Sequence, residues 1–328
     1  MALIRRGDVD TLAASFDFGT SFITEEHRRK RHRTFLFGYP ISESLAPLLH
    51  DTLFRSIDLP WTYELHETQD ASEFLPALKQ SDVVGCAVTM PYKVAMMPAM
   101  DEVTEEGRVI GAINTVFLRR AADGSIRYIG TNTDCLGVRD AFLQNFPHVA
   151  TWADGKPALV IGGGGACRAA IYALWKWLGA DCVYVVNRLE EEVTAIANWF
   201  RGTNCPVKIV YVASVEQAAA LETPALVVGT VPDFSPRLPG EVLARRIISH
   251  FLARSQKGYI LEMCYHPKPR TEFYTLGERA GWNMLYGTEA MIWQGVAQQV
   301  LWSELPLDRF KLDEVHEVIA EAVRKSRQ

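Results

Sequence analysis

From Thr34 onward, short apolar runs alternate with longer amphipathic ones. The runs "TFLFGY", "WTYEL" and "GCAVTM" have the length and apolar content of strands, and "APLLHDTLFRSI" and "ASEFLPALKQ" between them have helical spacing. A helix-like stretch around "DEVTEEGRVIG" follows, and then a hairpin in which "NTVFLRR" and "IRYIGTNT" flank the turn signal Ala122-Asp123-Gly124. The pattern predicts an α/β domain that closes near Asp134.

A second series of elements begins with "KPALVIGGGGACRAAIYALWKWLGADCVYVVNR". It contains an apolar strand, a glycine turn, an Ala-rich helix that ends at Gly179, and a second apolar strand, which together form a βαβ unit. The later runs "PALVVGT" and "KGYILEMCY" are continuously apolar, which is typical of parallel strands buried on both faces. We therefore expect a Rossmann-type, doubly wound parallel sheet in this second domain.

The composition is that of an ordinary soluble globular protein, with 48% apolar and 22% charged residues. A chain of 328 residues suits two domains. The formal net charge of −5 gives no broad positive field, so nucleic acid is not expected as a partner. The basic run "EEHRRKRHR" (residues 25–33) could be a nuclear signal or an anion patch, but a solvated N-terminal extension is favoured.

The six cysteines are scattered, with no C-x-x-C pair and no nearby histidine at metal-ligand spacing. This distribution predicts reduced thiols and no bound metal. The N-terminus lacks a long apolar stretch, and no run of about 18 apolar residues occurs, so neither secretion nor membrane insertion is expected. The expected location is cytoplasmic.

The glycine turn in "VIGGGGACRAA" is the first candidate binding site. Gly162, Gly163, Gly164, Gly165 and Ala166 follow a predicted strand and open a helix, so backbone amides can approach a pyrophosphate at the positive end of the helix. A purely structural glycine turn is the alternative. The strand-turn-helix context favours a dinucleotide site.

The cofactor preference depends on "VVNRLEEEV", at the end of the next strand. Arg188 could stack on adenine or bind a 2′-phosphate, but Glu190, Glu191 and Glu192 put carboxylates where that phosphate would lie. The glutamates could also simply begin a helix, whose N-terminus favours acidic residues. Both interpretations are compatible with NAD as the preferred cofactor and NADP as the less favoured one.

Two ionisable residues follow predicted strands, Lys93 in "GCAVTMPYK" and Asp134 in "GTNTDCLG". Either residue alone could be a surface charge or a cap. Together with "GYPISESLAP", "GAINT", "VIGGGGA", "NR" and "GTEAMIWQGVAQ" in chain order, these motifs resemble the shikimate and quinate dehydrogenase family. The resemblance runs from about Phe35 to the C-terminal helix.

The resemblance implies a reversible oxidation of a secondary alcohol on a cyclohexane or cyclohexene carboxylate, with hydride passing to nicotinamide. It implies that Lys93 and Asp134 are the catalytic pair, and alcohol oxidation does need a general base. Which of the two accepts the proton stays open. The implied substrate-binding residues are Ser42, Ser44, Thr89, Asn114, Tyr265 and Gln294, although Asn114 could be a turn residue and Tyr265 a buried structural tyrosine. The other implied cofactor-binding residues are Asn187, Arg188, Thr230, Met263 and Gly287.

The resemblance also implies the domain organisation. We expect an N-terminal extension over 1–33 and an α/β substrate-binding and catalytic domain over 34–135. A Rossmann domain that binds NAD(P) is expected over 136–287, with the cleft between the two domains. Residues 288–328 are expected to form helices that pack back on the substrate domain.

The loop "GYPISESLAP" departs from the family pattern Gly-x-Pro-(Ile or Val)-x-His-Ser-x-Ser-Pro. Glu43 replaces the histidine, Ser44 is the first serine, and Ala46 replaces the second, so one hydroxyl for the substrate carboxylate is missing. Ser42 does not obviously replace it. Within the family, a smaller residue at position 46 is associated with quinate use, because it opens room at C1 of the ring. Two further departures lie on the cofactor side: "VVGT" (227–230) stands where the family often has Asn-Ala-Thr or Ser, and Glu262 replaces an aspartate.

These observations favour NAD-dependent oxidation of quinate to 3-dehydroquinate. Oxidation of shikimate to 3-dehydroshikimate stays open, since Thr89 is retained as in shikimate enzymes. The alternatives are an NADP-dependent shikimate dehydrogenase and a non-catalytic module that senses quinate or shikimate. The presence of both Lys93 and Asp134 disfavours a sensor, which needs no proton-transfer pair. A small molecule is the expected partner, and the protein could be a monomer or a homodimer.

Overall fold

The computed structural model describes residues 11–325. The first ten residues of the expected N-terminal extension and the last three of the expected C-terminal segment lie outside the described residues. The chain divides into two compact units. Unit 1 comprises the residues up to Thr133 and those from Ile292 onward, and unit 2 comprises Asp134–Met291.

Unit 1 is built on a mixed sheet whose strand order is β3-β2-β4-β6-β7-β5, with β1 pairing to β6. Strand β2 runs parallel to both β3 and β4, whereas β4–β6 and the hairpin β6–β7 are antiparallel. The strands are β1 Thr20–Ser21, β2 Arg33–Gly38, β3 Thr62–Glu67, β4 Val83–Val88, β5 Glu102–Val103, β6 Thr115–Arg120 and β7 Ile126–Thr131. The predicted strand and helix alternation and the predicted hairpin are confirmed.

The helices of unit 1 cover the two faces of this sheet. Phe35 and Phe37 of β2 pack with Phe74 on one face, and Leu36 joins a cluster with Trp302 on the other, as the two-residue period of a strand requires. The helices are α1 Glu25–Arg29, α2 Ala46–Ser56, α3 Phe74–Leu78, α4 Glu105–Ile110, the unit 1 part of α12 Gly287–Ser303, and α13 Leu312–Lys325, which packs against α2.

The segment before β2 corrects one expectation. Strand β1 pairs antiparallel with β6 in the register Thr20↔Arg120, and Phe22 and Ile23 are buried in the core of unit 1. The indole of Trp61 also donates a hydrogen bond of 2.9 Å to the carbonyl of His27. The expected solvated extension is therefore wrong at Phe22 and Ile23, whereas none of residues 25–33 is buried. Two apolar residues anchor the segment, and the run 25–33 that follows them is exposed at residues 25, 26 and 29–31 and half-buried at the others.

Unit 2 contains a six-stranded, fully parallel sheet in the order β10-β9-β8-β11-β12-β13. This is the doubly wound order in which the chain reverses direction across the sheet between β8 and β11. The strands are β8 Ala158–Ile161, β9 Cys182–Val186, β10 Lys208–Tyr211, β11 Leu226–Gly229, β12 Tyr259–Glu262 and β13 Asn283–Tyr286. The Rossmann-type prediction is confirmed, and β10 and β13 are edge strands that the sequence pattern had not identified.

Five helices of unit 2 lie between successive strands, as parallel connections require, whereas two precede β8 and one begins after β13. They are α5 Asp134–Asn145, α6 Val149–Ala153, α7 Gly165–Lys176, α8 Glu190–Arg201, α9 Val215–Ala220, α10 Pro239–Leu252, α11 Glu272–Arg279 and the start of α12. None of the helices within residues 11–325 is both long and apolar enough to cross a membrane.

Candidate active site

Asn114 is the centre of a buried polar network in unit 1. Its side chain is 2% exposed, and its Nδ2 donates hydrogen bonds to Thr133 Oγ1 (2.9 Å) and to Gln294 Oε1 (3.2 Å). Its Oδ1 accepts from the backbone N–H of Thr133 (2.6 Å) and from Thr115 Oγ1 (2.8 Å). These four bonds match the hydrogen-bonding capacity of the amide and fix its orientation.

Helix α12 contributes two glutamines to the network around Asn114. Gln294 is half-buried, and Gln298, one turn later, donates to Thr115 Oγ1 at 2.9 Å. Sequence reasoning had identified Asn114 and Gln294 but had missed Gln298, Thr115 and Thr133. The four-residue spacing from Gln294 to Gln298 was a usable signal, because residues four apart lie on the same face of a helix.

The two ionisable candidates are connected through the backbone to this network. The carbonyl of Lys93 accepts a hydrogen bond from the N–H of Ile113 (2.8 Å), the residue before Asn114. Asp134 directly follows Thr133, opens helix α5 and is 6% exposed. The Lys93 side chain is half-buried. The backbone of Lys93 is thus bonded directly to Ile113, and Asp134 lies one residue after Thr133, whose N–H donates to Asn114.

The proline-rich loop after β2 and the turn after β4 lie together in unit 1. The N–H of Tyr39 donates to the carbonyl of Met90 (3.0 Å), and the N–H of Thr89 donates to the carbonyl of Phe37 (2.9 Å). Ser44 Oγ accepts from the N–H of Ala46 at 3.2 Å, which leaves the hydroxyl proton as the group that can be donated to a ligand. Ser42 is exposed on the same loop.

In unit 2, the predicted glycine turn lies where the sheet reverses its strand order. Gly162 has φ +131°, and a Cβ at this position would overlap Thr230 Oγ1. Thr230 in turn donates through its hydroxyl to the carbonyl of Ile161 at 2.7 Å, and the N–H of Gly162 donates to the carbonyl of Val186 at 2.9 Å. The carboxyl ends of β8, β9 and β11 are therefore joined at the place where open α/β sheets bind ligands.

The turn fits the pyrophosphate of a dinucleotide. Gly164 is the N-cap of the 12-residue helix α7, and a Cβ built on it would meet no heavy atom within 4 Å. Open space thus adjoins the first turn of α7, where Gly165 and Ala166 are half-buried. The backbone amides of this turn are at the positive end of the helix dipole. Within residues 11–325, no three His, Cys, Asp or Glu side chains form a group that could hold a metal ion.

Asn187 and Arg188 follow β9 beside the glycine turn, and each is engaged by an acidic side chain. Asn187 Nδ2 donates to Glu192 Oε2 at 2.6 Å. Arg188 Nη1 forms an ion pair of 2.9 Å with Glu241 Oε1. Glu190 and Glu191 are exposed at the start of α8. Glu241 was not among the residues identified from the sequence, because it lies 53 positions after Arg188.

The two departures from the family pattern on the cofactor side are in contact with each other. Glu262 is 2% exposed, and a Cβ on Gly229 would overlap its Oε2 atom. Glu262, which is one methylene longer than aspartate, therefore occupies the space that the absent Cβ of Gly229 leaves. Burial, and then the negative charge of Asp233, raise the pKa of the Glu262 carboxyl well above its usual range. Burial therefore disfavours the ionised form of this carboxyl.

Met263 and Gly287 lie at the same edge of the unit 2 sheet. The N–H of Met263 donates to the carbonyl of Gly229 (2.9 Å), and a Cβ on Gly287 would overlap the Met263 carbonyl oxygen. Tyr265 is half-buried in the loop after β12, where its ring packs on His266 with centroids 4.1 Å apart. The predicted cofactor residues therefore gather at one edge of the sheet, as the strand order requires.

Comparisons with known proteins agree with this architecture. Residues 36–116 match the family model described as the shikimate dehydrogenase substrate binding domain. The quinate dehydrogenase of Emericella nidulans is 42% identical over 285 residues, which is 82% of this chain and 87% of that protein. The dehydroquinate dehydratase and shikimate dehydrogenase of S. pombe is 33% identical with a TM-score of 0.69, and this match covers 88% of the chain but only 53% of that longer protein. The shikimate 5-dehydrogenase of Thermus thermophilus, solved with NADP(H) and shikimate, is 28% identical with a TM-score of 0.67, covering 90% of this chain and 99% of that one.

Proposed function

Since the chain belongs to the shikimate and quinate dehydrogenase family, whose members are alcohol oxidoreductases, we propose that it oxidises quinate to 3-dehydroquinate with NAD. The observation that carries this proposal is the fixed Asn114 amide. Its neighbour Ile113 donates its N–H to the carbonyl of Lys93. The Oδ1 of Asn114 accepts from the N–H of Thr133, the residue before Asp134. A polyhydroxylated ring is recognised by such a neutral, oriented donor and acceptor group. The identity to a quinate dehydrogenase over most of the chain supports the choice of substrate.

In the proposed complex, Asn114 and Gln294 bind ring hydroxyls. The bond to Gln294 Oε1, at 3.2 Å, is the longer of the two that the Asn114 amide donates, so a substrate hydroxyl replaces it at the lowest cost. Gln294 Oε1 then accepts from a second hydroxyl. Ser44 donates its hydroxyl proton to the substrate carboxylate, while Ala46, without a hydroxyl, leaves room for the tetrahedral C1 of quinate.

Lys93 and Asp134 handle the proton that leaves the reacting hydroxyl. Alcohol oxidation requires a general base within hydrogen-bond reach of that hydroxyl. The backbone carbonyl of Lys93 accepts from the N–H of Ile113, and Asp134 follows Thr133, whose N–H donates to Asn114. The ammonium group of Lys93 also stabilises the developing alkoxide. Asp134, at the first turn of α5, is the second group that can accept the proton.

The glycine turn, Thr230, Met263 and Gly287 hold the dinucleotide in this proposal. Bound nicotinamide supplies the hydride acceptor. NAD is favoured over NADP because Glu190 and Glu191 are exposed beside Arg188 and because the Arg188 guanidinium is already paired with Glu241.

A second candidate is NADP-dependent oxidation of shikimate. It is favoured by Thr89, which is retained as in shikimate enzymes and whose backbone is fixed to β2. The similarity to the Thermus thermophilus enzyme, solved with NADP(H) and shikimate, points in the same direction.

A matrix of kcat/KM values for quinate and shikimate, each with NAD and NADP, tests the proposal. The quinate and NAD pair should give the highest value and form NADH at neutral to mildly alkaline pH. A matrix dominated by shikimate and NADP would support the second candidate instead. No reduced nicotinamide with any of the four pairs would contradict both.

Removing either proton-handling side chain should abolish most of the activity. Lys93→Ala and Asp134→Asn are each expected to lower kcat at least a hundredfold, which is about 2.7 kcal/mol of transition-state stabilisation. Lys30→Ala and Asp123→Asn, which change exposed residues of the same types, are matched controls and should leave kcat unchanged. Near-normal kcat in both Lys93→Ala and Asp134→Asn would remove this pair from the mechanism.

A further inference from the structure

The ion pair between Arg188 and Glu241 joins two elements that are distant in sequence. Arg188 follows β9, and Glu241 lies in the first turn of helix α10. Arg188 Nη1 and Glu241 Oε1 are 2.9 Å apart, with the two side chains 51% and 28% exposed. A pair this exposed contributes little to stability, so its value to the protein must be sought elsewhere.

Glu241 is held in place whether or not Arg188 is present. Its Oε2 accepts hydrogen bonds from the backbone N–H groups of Arg237 (3.0 Å) and Leu238 (3.1 Å), which caps the start of α10. These bonds, with the Arg188 guanidinium, lower the pKa of the Glu241 carboxyl to about 2. The carboxylate is therefore ionised at every pH at which a dehydrogenase works.

The backbone brings the start of α10 unusually close to Arg188. A Cβ on Gly240 would lie 2.6 Å from the Arg188 carbonyl oxygen, so only glycine allows this approach. The carboxylate of Glu241 is thus fixed by a helix cap on one side and by a glycine contact on the other. Because the carboxylate is already fixed, forming the ion pair with the guanidinium costs little side-chain conformational entropy of Glu241.

The ion pair with Glu241 changes what the N–H edge of the Arg188 guanidinium can bind. An arginine at the end of this strand binds the 2′-phosphate of NADP through its N–H edge, in competition with any other anion at that edge. In this chain Glu241 already occupies Nη1 and adds a fixed negative charge, next to the exposed Glu190 and Glu191. The flat face of the guanidinium is still compatible with stacking on adenine, which NAD and NADP share.

We infer that Glu241 is a cofactor-selectivity residue. By pairing with the N–H edge of the Arg188 guanidinium, it prevents this cation from binding the 2′-phosphate of NADP. This inference rests on the proposed dinucleotide site and names a residue that sets its preference. Glu241 is a positioning residue here, since it acts through Arg188.

The test uses 5′-AMP and 2′,5′-ADP as probes, which differ only in the 2′-phosphate, with binding to the full chain measured by calorimetry. Glu241→Gln removes the charge and keeps an oxygen that can accept the capping hydrogen bonds. The variant should bind 2′,5′-ADP about tenfold more tightly, or about 1.4 kcal/mol, while affinity for 5′-AMP changes less than about twofold. The gain should shrink as salt is raised, because it is electrostatic.

Two further variants separate a selectivity role from a structural one. Glu278→Gln neutralises another carboxylate of unit 2 that is paired with an arginine, Arg270, and should leave the ratio of the two affinities unchanged. In an Arg188→Ala background, Glu241→Gln should change the ratio less than about threefold, because the residue acts through Arg188.

The outcomes are distinguishable. If 5′-AMP binds and Glu241→Gln leaves the ratio unchanged, or weakens both probes equally, Glu241 is only a helix cap and the inference is wrong. An effect of the same size without Arg188 would also overturn it. If neither nucleotide nor NAD binds the unmodified chain, the dinucleotide proposal itself fails, and the inference fails with it.

Discussion

Replacing Gly229 with alanine is expected to destabilise unit 2, and a second change at Glu262 should reverse most of that loss. In an unobstructed strand, alanine would stabilise the protein by about 0.5–1 kcal/mol relative to glycine. At Gly229, however, the new Cβ would overlap Glu262 Oε2 and lie 2.9 and 3.0 Å from two ring carbons of Phe273. Overpacking of this kind costs about 1–3 kcal/mol. The expected net effect of Gly229→Ala is therefore a loss of about 1–2 kcal/mol.

Glu262→Asp moves the carboxyl back by one methylene. By itself this change should cost about 1 kcal/mol, because it removes a buried methylene and leaves a small void. In the double variant the alanine methyl fills that void. The free energy of unfolding should then return to within about 1 kcal/mol of the unmodified protein, which gives a coupling energy of about 1–3 kcal/mol.

The assay is urea unfolding of the unmodified protein, the two single variants and the double variant, compared at a common m-value. Gly202→Ala is a suitable control, because a Cβ there would make only an ordinary contact at 3.4 Å. That variant should unfold within about 0.5 kcal/mol of the unmodified protein. If the two single losses simply add in the double variant, the two departures from the family pattern are independent, and the compensation inferred from the structure is incorrect.

Two other predictions concern unit 1. Burial lowers the pKa of His50 to about 3, so the folded protein keeps this ring neutral while the unfolded chain protonates it below about pH 6.5. The stabilisation that comes from keeping His50 neutral is complete above about pH 6.5 and falls by about 1.4 kcal/mol per pH unit below it. In urea unfolding from pH 7 to pH 5, the free energy of unfolding should therefore fall more steeply for the unmodified protein than for His50→Gln. Equal slopes would contradict this prediction. Ala46→Ser, which restores a hydroxyl at the buried start of α2, should shift the ratio of kcat/KM values from quinate towards shikimate, and an unchanged ratio would mean that other residues set the pocket.

Local patterns were sufficient for the hairpin of unit 1 and the first βαβ unit of unit 2. The hairpin β6–β7 was predicted from alternation and a turn signal, and the βαβ unit from an apolar run, a glycine turn and an Ala-rich helix. Both signals act over a few residues, because side-chain direction and turn conformation are local properties. Strands β10 and β13 were not identified, since they are short edge strands of mixed character in which Lys208 and Asn283 are exposed.

The N-terminal segment shows the limit of composition as evidence. The charge of residues 25–33 indicated solvation, but two neighbouring apolar residues, Phe22 and Ile23, are buried in unit 1. Whether such a pair anchors a segment depends on a strand that can receive it, here the end of β6 at Arg119 and Arg120, beyond its pairing with β4. A sequence window does not contain that information.

For the candidate site, the sequence by itself determined which residue types are present and that they occur in the order of one family. It determined the glycine turn and the choice of Asn114, Lys93, Asp134 and Gln294 as candidates. Only the tertiary structure decided the partners of these residues. Thr133 and Glu241 carry no distinctive local pattern, and for Gln298 only the four-residue spacing from Gln294 was a signal. Their roles follow from hydrogen bonds and charges between positions 19 to 184 residues apart in the chain. Such contacts exist only after folding brings distant segments together, which is the physical reason that the sequence could name the site but not its network.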